Sequence, residues 1–85
     1  MSAFIVYIIY SQRLDRYYIG YTTDMIKRMN EHNSGVSTFT AKATDWILKW
    51  SKEFDSRELA MKEEKIIKAK KSRKYIEWLI TKNSS

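Results

Sequence analysis

The sequence predicts an α+β domain: a three-stranded antiparallel sheet with three flanking helices, in the order β-β-α-β-α-α. Three segments rich in β-branched and aromatic residues and three stretches of helical periodicity indicate this order. The 44% apolar and 14% aromatic content is typical of a folded globule. The 85 residues fit one domain. We expect its core to cover about 4–80, with 81–85 as a C-terminal tail.

The first two strands are predicted to form a hairpin. Phe4–Tyr10 is a continuous run of apolar, β-branched and aromatic side chains, as expected of a central strand that is covered on both faces. Ser11–Arg16 is polar and turn-like. Tyr17–Tyr21 then provides the returning strand.

The first helix is predicted to begin after Thr22–Asp24, where three side chains offer an N-cap oxygen, and to run to about Asn33. Gly35 closes it. Arg28 and His32, four residues apart, share one line along this helix. The predicted apolar stripe lies on another line and consists of Met25, Ile26 and Met29.

The third strand is predicted over Trp46–Phe54, after a Ser- and Thr-rich loop over 34–45. Trp46, Leu48 and Trp50 alternate with mostly polar neighbours, which indicates a half-buried strand with these three on one face. We interpret the two tryptophans as core residues. Stacking on nucleic-acid bases is the alternative.

Two further helices are predicted in the last third of the chain. Asp55 or Ser56 caps the second helix, which runs to about Ala69, and Ser72 caps the third. The core-facing stripe of the third helix is predicted to contain Tyr75, Ile76, Leu79 and Ile80.

The second helix carries two neighbouring glutamates, and periodicity alone does not choose between them. Glu63 lies nearer the centre of the apolar arc formed by Leu59, Ile66 and Ile67, whereas Glu64 lies at its edge. If Glu64 faces inward, Leu59 and Ile66 lie on the outer flank. There they either pack against the third helix or form an exposed patch for a partner.

Composition restricts the chemistry that this chain can support. The absence of cysteine excludes disulfides, thiolate catalysis and cysteine-based zinc sites. With one histidine, a metal site must be built from carboxylates, which favours Mg²⁺ or Mn²⁺.

The charge predicts an anionic partner. The net charge of +6 and the pI near 9.6 indicate nucleic acid first and a membrane surface second. Residues 65–74 form the densest basic run, with six cations and no acid, although such runs are also found on solvated helix faces. Phe4–Tyr10 is too short for a membrane span and lacks the basic start of a signal peptide, so we expect a cytoplasmic protein that begins at Met1.

Five motifs in this order resemble the GIY-YIG nuclease superfamily, and in particular its small stand-alone bacterial members. Ile5–Tyr7 ends in the first tyrosine, without the glycine that often begins this motif, and Tyr18–Gly20 supplies Tyr-Ile-Gly. The two motif tyrosines, at positions 7 and 18, are eleven residues apart. Arg28 and His32 follow in the next helix. Ala60–Lys68 provides an Ala-x-x-x-Glu-Lys-x-Ile-Lys pattern.

The resemblance implies a role for each side chain of the site. Tyr7 would activate or orient the attacking water with help from Tyr18, and Arg28 would hold the charge that develops on phosphate. His32 would protonate the leaving oxygen, share the role of base, or bind a phosphate. Glu64 would hold Mg²⁺ or Mn²⁺. Without the resemblance, the tyrosines are equally well explained as packing residues and Arg28 as a surface cation.

A nucleic-acid surface is expected beside these residues. The resemblance implies that Gly20 lets substrate or the start of the helix approach closely, whereas the simpler alternative is a strand-end glycine. The cations expected to contact phosphates are Lys65, Lys68, Lys70, Lys71, Arg73 and Lys74.

Together these features predict a metal-dependent endonuclease that hydrolyses nucleic-acid phosphodiesters, with DNA as the first candidate and repair or recombination as its setting. One alternative is a nucleic-acid-binding module without catalysis. Another is an adaptor that docks a larger DNA-processing protein through Leu59 and Ile66.

Overall fold

A computed structural model describes residues 3–35 and 41–83, and it confirms the predicted order of elements. The middle of the predicted loop over 34–45 and the end of the predicted tail lie outside these residues. The elements are β1 (Phe4–Ser11), β2 (Arg16–Thr22), α1 (Met25–Asn33), β3 (Ile47–Phe54), α2 (Arg57–Lys70) and α3 (Arg73–Asn83).

The strands form an antiparallel sheet in the order β2-β1-β3, so β1 is the central strand, as predicted. Its residues Val6–Ile9 are at most 1% exposed, because both faces of the sheet are covered. The β1–β2 hairpin begins at the pair Ser11–Arg16 and brings Tyr7 directly opposite Gly20. Opposite residues project from the same face of the sheet.

The two faces of the sheet support two separate cores. On one face, Val6 and Ile8 pack against α2 and α3. The third-helix stripe predicted from the sequence contributes to this core as expected: Ile76 and Leu79 are buried, and Tyr75 and Ile80 pack at its edge. The other face, here called the α1 face, carries Tyr7, Ile9, Tyr18, Ala43 and Trp46, with Met25 and Met29 of α1 packed against them.

A β-bulge changes the prediction for the third strand. Ile8 pairs with Trp50 but Ile9 pairs with Leu48, so β3 has one extra residue at Lys49. One extra residue reverses the alternation of side chains. Trp46 and Trp50 therefore lie on opposite faces, each 6% exposed, and the prediction of a shared face was wrong. Leu48 is 39% exposed and does not belong to either core. The prediction that both tryptophans are core residues is confirmed.

The caps of α1 agree with the sequence, but its predicted stripe does not. Asp24 is the N-cap, and its side chain accepts from the Lys27 amide at 3.0 Å. Ile26 is 79% exposed, so its place in the stripe was wrong. The helix turns Met25, Met29 and His32 toward the sheet, since positions i, i+4 and i+7 share one face and Ile26 lies about 100° away.

On α2, the buried positions are Ala60 and Ile67. Glu64 lies four residues after the first and three before the second, so it shares their side of the helix. Leu59 and Ile66 are 51% and 40% exposed, which favours the alternative of an exposed patch over packing against α3. Among the described residues, no helix is long and apolar enough to span a membrane.

Candidate active site

A buried hydrogen-bond network connects β1 to α1. The Tyr7 hydroxyl lies 2.8 Å from Nε2 of His32, and Nε of Arg28 donates to the same hydroxyl at 3.3 Å. Tyr7 is 1% exposed and His32 is fully buried. Three of the residues predicted for the site are therefore in direct contact, although they lie on a strand and on a helix that begins after the next strand.

The geometry and the pKa of His32 bear on which atom carries the proton between the Tyr7 hydroxyl and His32. Burial, together with the charge of Arg28, lowers the pKa of His32 to about 4, so the imidazole is neutral at pH 7. A neutral imidazole has one acceptor nitrogen. In the tautomer with the proton on Nδ1, Nε2 of His32 accepts from the Tyr7 O–H while the Tyr7 oxygen accepts from Arg28. The chain of donors runs from Arg28 through Tyr7 to His32.

The Tyr7 phenol keeps its proton at neutral pH. Burial raises the pKa of Tyr7 to about 12, against the opposing effects of the hydrogen bond and positive charge of Arg28. Tyr18 and the negative charge of Glu64 raise it to a smaller extent. Desolvation therefore outweighs the cation in setting the pKa of this phenol. Proton transfer from Tyr7 requires an acceptor, and His32 is in place.

Tyr18 stands at the edge of this network. Its ring centroid lies 5.2 Å from that of His32 and 6.5 Å from that of Tyr7, on the α1 face of β2. Unlike Tyr7 and His32, Tyr18 is partly exposed. Its position allows it to contact a bound substrate and the buried network at the same time.

Gly20 is required by Tyr7. A Cβ at position 20 would lie 2.6 Å from the Tyr7 hydroxyl oxygen, 2.9 Å from its Cζ and 3.2 Å from a ring carbon of Tyr18. Among the protein groups, the tyrosine side chain is thus the one that approaches the Gly20 backbone. The missing side chain makes room for the phenol on the opposite strand.

Glu31 is a site residue that the sequence reasoning missed. Its carboxylate lies 3.0 Å from Nη1 of Arg28, and both side chains are about one-third exposed. Burial alone would lower the pKa of Arg28, but the hydrogen bonds to Tyr7 and Glu31 outweigh burial and the net shift is upward. The guanidinium is therefore charged and held between two partners. The i, i+3 spacing of Arg28 and Glu31 was the available signal.

Glu64 lies on α2, and its negative charge makes a small contribution to the raised pKa of Tyr7. Its side chain is 17% exposed and pairs with Lys68 at 3.7 Å, a long contact for an ion pair. Glu63 instead lines a groove beside Trp50 and Trp78, outside this network. The fold thereby separates the two glutamates that periodicity left undecided.

Glu64 offers carboxylate oxygens that could bind a divalent metal ion. Carboxylate oxygen is the ligand type that Mg²⁺ and Mn²⁺ accept. Within residues 3–35 and 41–83, no three acidic or histidine side chains come together to form a complete cage. Magnesium usually keeps several waters and binds through one or two carboxylates plus substrate phosphates, so a single carboxylate fits this ion.

The predicted phosphate-contacting cations are all exposed, but half of them have partners within the protein. Arg73 pairs with Asp15 at 2.6 Å and with Glu77 at 3.3 Å. Lys68 pairs with Glu64. Lys70 lies over the ring of Tyr75. The three that have no such contact with another described residue are Lys65, Lys71 and Lys74.

The chain is similar in sequence to a known protein family and to several known proteins. A family model described as the GIY-YIG catalytic domain matches residues 3–76. A UPF0213 protein of Streptococcus pneumoniae is 45% identical over 56 residues, which is 65% of this chain and 57% of that protein. A UPF0213 protein of Halobacterium salinarum is 43% identical over 53 residues, or 61% of this chain and 69% of that protein.

The match to a UPF0213 protein of Streptococcus pyogenes is 40% over 57 residues, covering 66% of this chain and 62% of that protein. The chain thus spans little more than half of the first of these relatives. No solved structure matches the chain. Because the catalytic-domain model covers most of the sequence, the chain belongs to the GIY-YIG family, whose members are usually endonucleases that use divalent metal ions.

Proposed function

We propose that this domain is a divalent-metal-dependent endonuclease that hydrolyses nucleic-acid phosphodiesters, with DNA as its first substrate and repair or recombination in the cytoplasm as its setting. The observation that carries the proposal is the network of Arg28, Tyr7 and His32, with Tyr18 and Glu64 beside it. A fixed cation, a phenol with a proton acceptor and a carboxylate are the groups that phosphodiester hydrolysis requires.

In the proposed mechanism, Arg28 binds the phosphate. Negative charge gathers on the non-bridging oxygens as water attacks phosphorus, and a guanidinium can hold two of them at once. The Tyr7 hydroxyl is buried, so Arg28, its more exposed partner, must move toward the phosphate when substrate binds. Glu31 keeps the guanidinium nearby during that movement.

Tyr7 and His32 form the proposed proton relay. The movement of Arg28 toward the phosphate opens the Tyr7 oxygen to the attacking water. The water forms the new P–O bond and gives its proton to this oxygen while the phenolic proton passes to Nε2 of His32, 2.8 Å away. The P–O bond to the 3′ oxygen breaks, and this oxygen takes up a proton from solvent, leaving a 5′-phosphate and a 3′-hydroxyl. The pKa of His32 is about 4, so the imidazolium gives up its proton readily, which returns the relay to its starting state.

Glu64 would hold Mg²⁺ or Mn²⁺ on the leaving side. The metal supplies stabilisation of the charge on the leaving oxygen. With a single protein carboxylate, metal affinity should be weak without nucleic acid, because the substrate phosphates complete the site.

The test is cleavage of labelled branched, flapped, nicked and single-stranded DNA, and of the matching RNAs, with Mg²⁺, Mn²⁺ or EDTA. Wild type should cut at least one substrate with a metal and none in EDTA. Glu64→Gln should lower the rate by about a hundredfold or more. Glu63→Gln, which removes the same charge one residue away, should cut like wild type. Equal losses in the two variants, or no cut on any substrate, would exclude this function.

A second candidate is a nucleic-acid-binding adaptor. The observation that favours it is the exposure of Leu59 and Ile66, one above the other on α2. Retained nucleic-acid binding with no cleavage in every metal condition would favour this candidate over the enzyme.

A further inference from the structure

A groove of about 620 Å³ lies between the β1–β2 hairpin loop and the segment before β3. We call it the hairpin groove. None of its lining residues is acidic. They are Arg13, Leu14, Arg16, Tyr17, Tyr18, Lys42 and Trp46.

The cations of the hairpin groove are available to a ligand. Arg13, Arg16 and Lys42 are exposed, and among the described residues none of them forms an ion pair. The charge of Arg13 contributes slightly to lowering the pKa of Asp45, which receives its main hydrogen bond from Ser11. Within the described part of the chain, the groove therefore presents three cations without an ion pair or a cation–π contact, as many as the basic run at 65–74.

Tyr18 joins this groove to the candidate active site. It lines the groove and also contacts the His32 ring at a centroid distance of 5.2 Å. A ligand that follows the groove therefore reaches the buried network at its exposed edge. Leu14 and Trp46 supply apolar surface against which a sugar or a base can rest.

The loop that carries two of these cations is held in place. The Arg13 amide donates to Asp45 at 3.0 Å and the Leu14 amide donates to Ser11 at 3.2 Å. Arg73 donates to both the backbone carbonyl and the carboxylate of Asp15. Binding to a loop that is already ordered avoids part of the entropy cost of association.

We propose that the hairpin groove binds the sugar-phosphate backbone of the nucleotides on one side of the scissile phosphate, and that Arg13, Arg16 and Lys42 contact its phosphates. The inference rests on the proposed function, since it takes Tyr18 as the meeting point of groove and reaction site. The contacts are to the backbone, so the binding is independent of sequence.

The test compares two double variants that each lose two positive charges: Arg16→Ala with Lys42→Ala in the groove, and, as the control, Lys62→Ala with Lys82→Ala on α2 and α3. Fluorescence anisotropy of a labelled single-stranded DNA and of its duplex is measured in EDTA over a range of KCl concentrations. The groove variant should bind about tenfold more weakly. The slope of log K against log[KCl] should become less steep by about 0.7 (single strand) to 0.9 (duplex) for each phosphate contact removed. The control variant should lose less than about threefold in affinity.

An equal or larger loss in the control variant, wild-type affinity in the groove variant, or no binding by wild type would overturn the inference. Cleavage with Mg²⁺ or Mn²⁺ is measured separately. Groove-dependent binding without cleavage rejects the enzyme and keeps the groove as a nucleic-acid site. Cleavage by wild type with unchanged binding by the groove variant rejects the groove and keeps the enzyme. Circular dichroism of both variants checks that they are folded.

Discussion

The stability of the protein should depend on pH through His32. Burial and the charge of Arg28 lower the pKa of His32 from its ordinary 6.5 to about 4 in the folded protein. The unfolded chain thus takes up the proton near pH 6.5 and the folded protein only near pH 4. The contribution of neutral His32 to the free energy of unfolding is complete above pH 6.5, decreases as the pH falls toward 4, and is lost below that. At about 1.4 kcal/mol per pH unit, the loss is about 3 kcal/mol.

This loss is a large fraction of the free energy of unfolding of a small domain, which is about 5–15 kcal/mol, so it is measurable. Urea unfolding followed by fluorescence of the three tryptophans gives that free energy at about pH 7 and about pH 4.5. His32 is the only histidine in the chain, so its ring signals in an NMR titration need no assignment by mutagenesis. We expect a titration midpoint near pH 4.

His32→Gln is the control. The glutamine amide can still accept from the Tyr7 hydroxyl but does not titrate, so the variant should lose much less stability between the two pH values. Two results would refute the reasoning. One is an NMR midpoint close to 6.5, which would mean that the ring is not desolvated. The other is an equal pH-dependent loss in wild type and His32→Gln, which would assign the effect to other groups.

Three further predictions concern the packing and charge of the site. Gly20→Ala should destabilise the protein by about 1–3 kcal/mol in urea unfolding. The loss should be smaller in a Tyr7→Phe background, because that change removes the oxygen 2.6 Å from the new Cβ. Additive losses in the double variant would contradict the contact. Arg28→Lys should cut nucleic acid at least about tenfold more slowly than wild type, since an ammonium cannot hold two phosphate oxygens as a planar fork, and equal rates would show that charge alone suffices. Asn33→Ala should lower the free energy of unfolding by about 2 kcal/mol in the same assay, because the side-chain amide exchanges two hydrogen bonds with the backbone of Trp46 at 2.8 and 3.1 Å. A change below about 0.5 kcal/mol would contradict this.

Local signals in the chain predicted the elements well. An N-cap depends on one side chain and the amide three residues later. The sequence therefore limited the first two caps to Thr22–Asp24 and to Asp55 or Ser56, and the structure selects Asp24 and Ser56. A central strand needs apolar residues on both faces, which the run at Phe4–Tyr10 shows directly. The resemblance, carried by short motifs at fixed spacings, similarly identified the family.

Features that depend on how the elements pair and pack in three dimensions could not be predicted from the sequence. The bulge at Lys49 arises from how β3 pairs with β1, and it sends Trp46 and Trp50 to opposite faces even though their spacing is even. Ile26 is as hydrophobic as a core residue, yet it is exposed because α1 meets the sheet through Met25, Met29 and His32.

By itself, the sequence determined the order of the elements, the approximate starts of the helices and the set of side chains that could do chemistry, because these depend on neighbours in the chain. Only the tertiary structure decided that the charge of Glu64 acts on Tyr7, that Gly20 makes room for a phenol, and that His32 is buried and neutral. Such properties arise from desolvation and close contact between residues far apart in the chain. Neither composition nor periodicity encodes these distances.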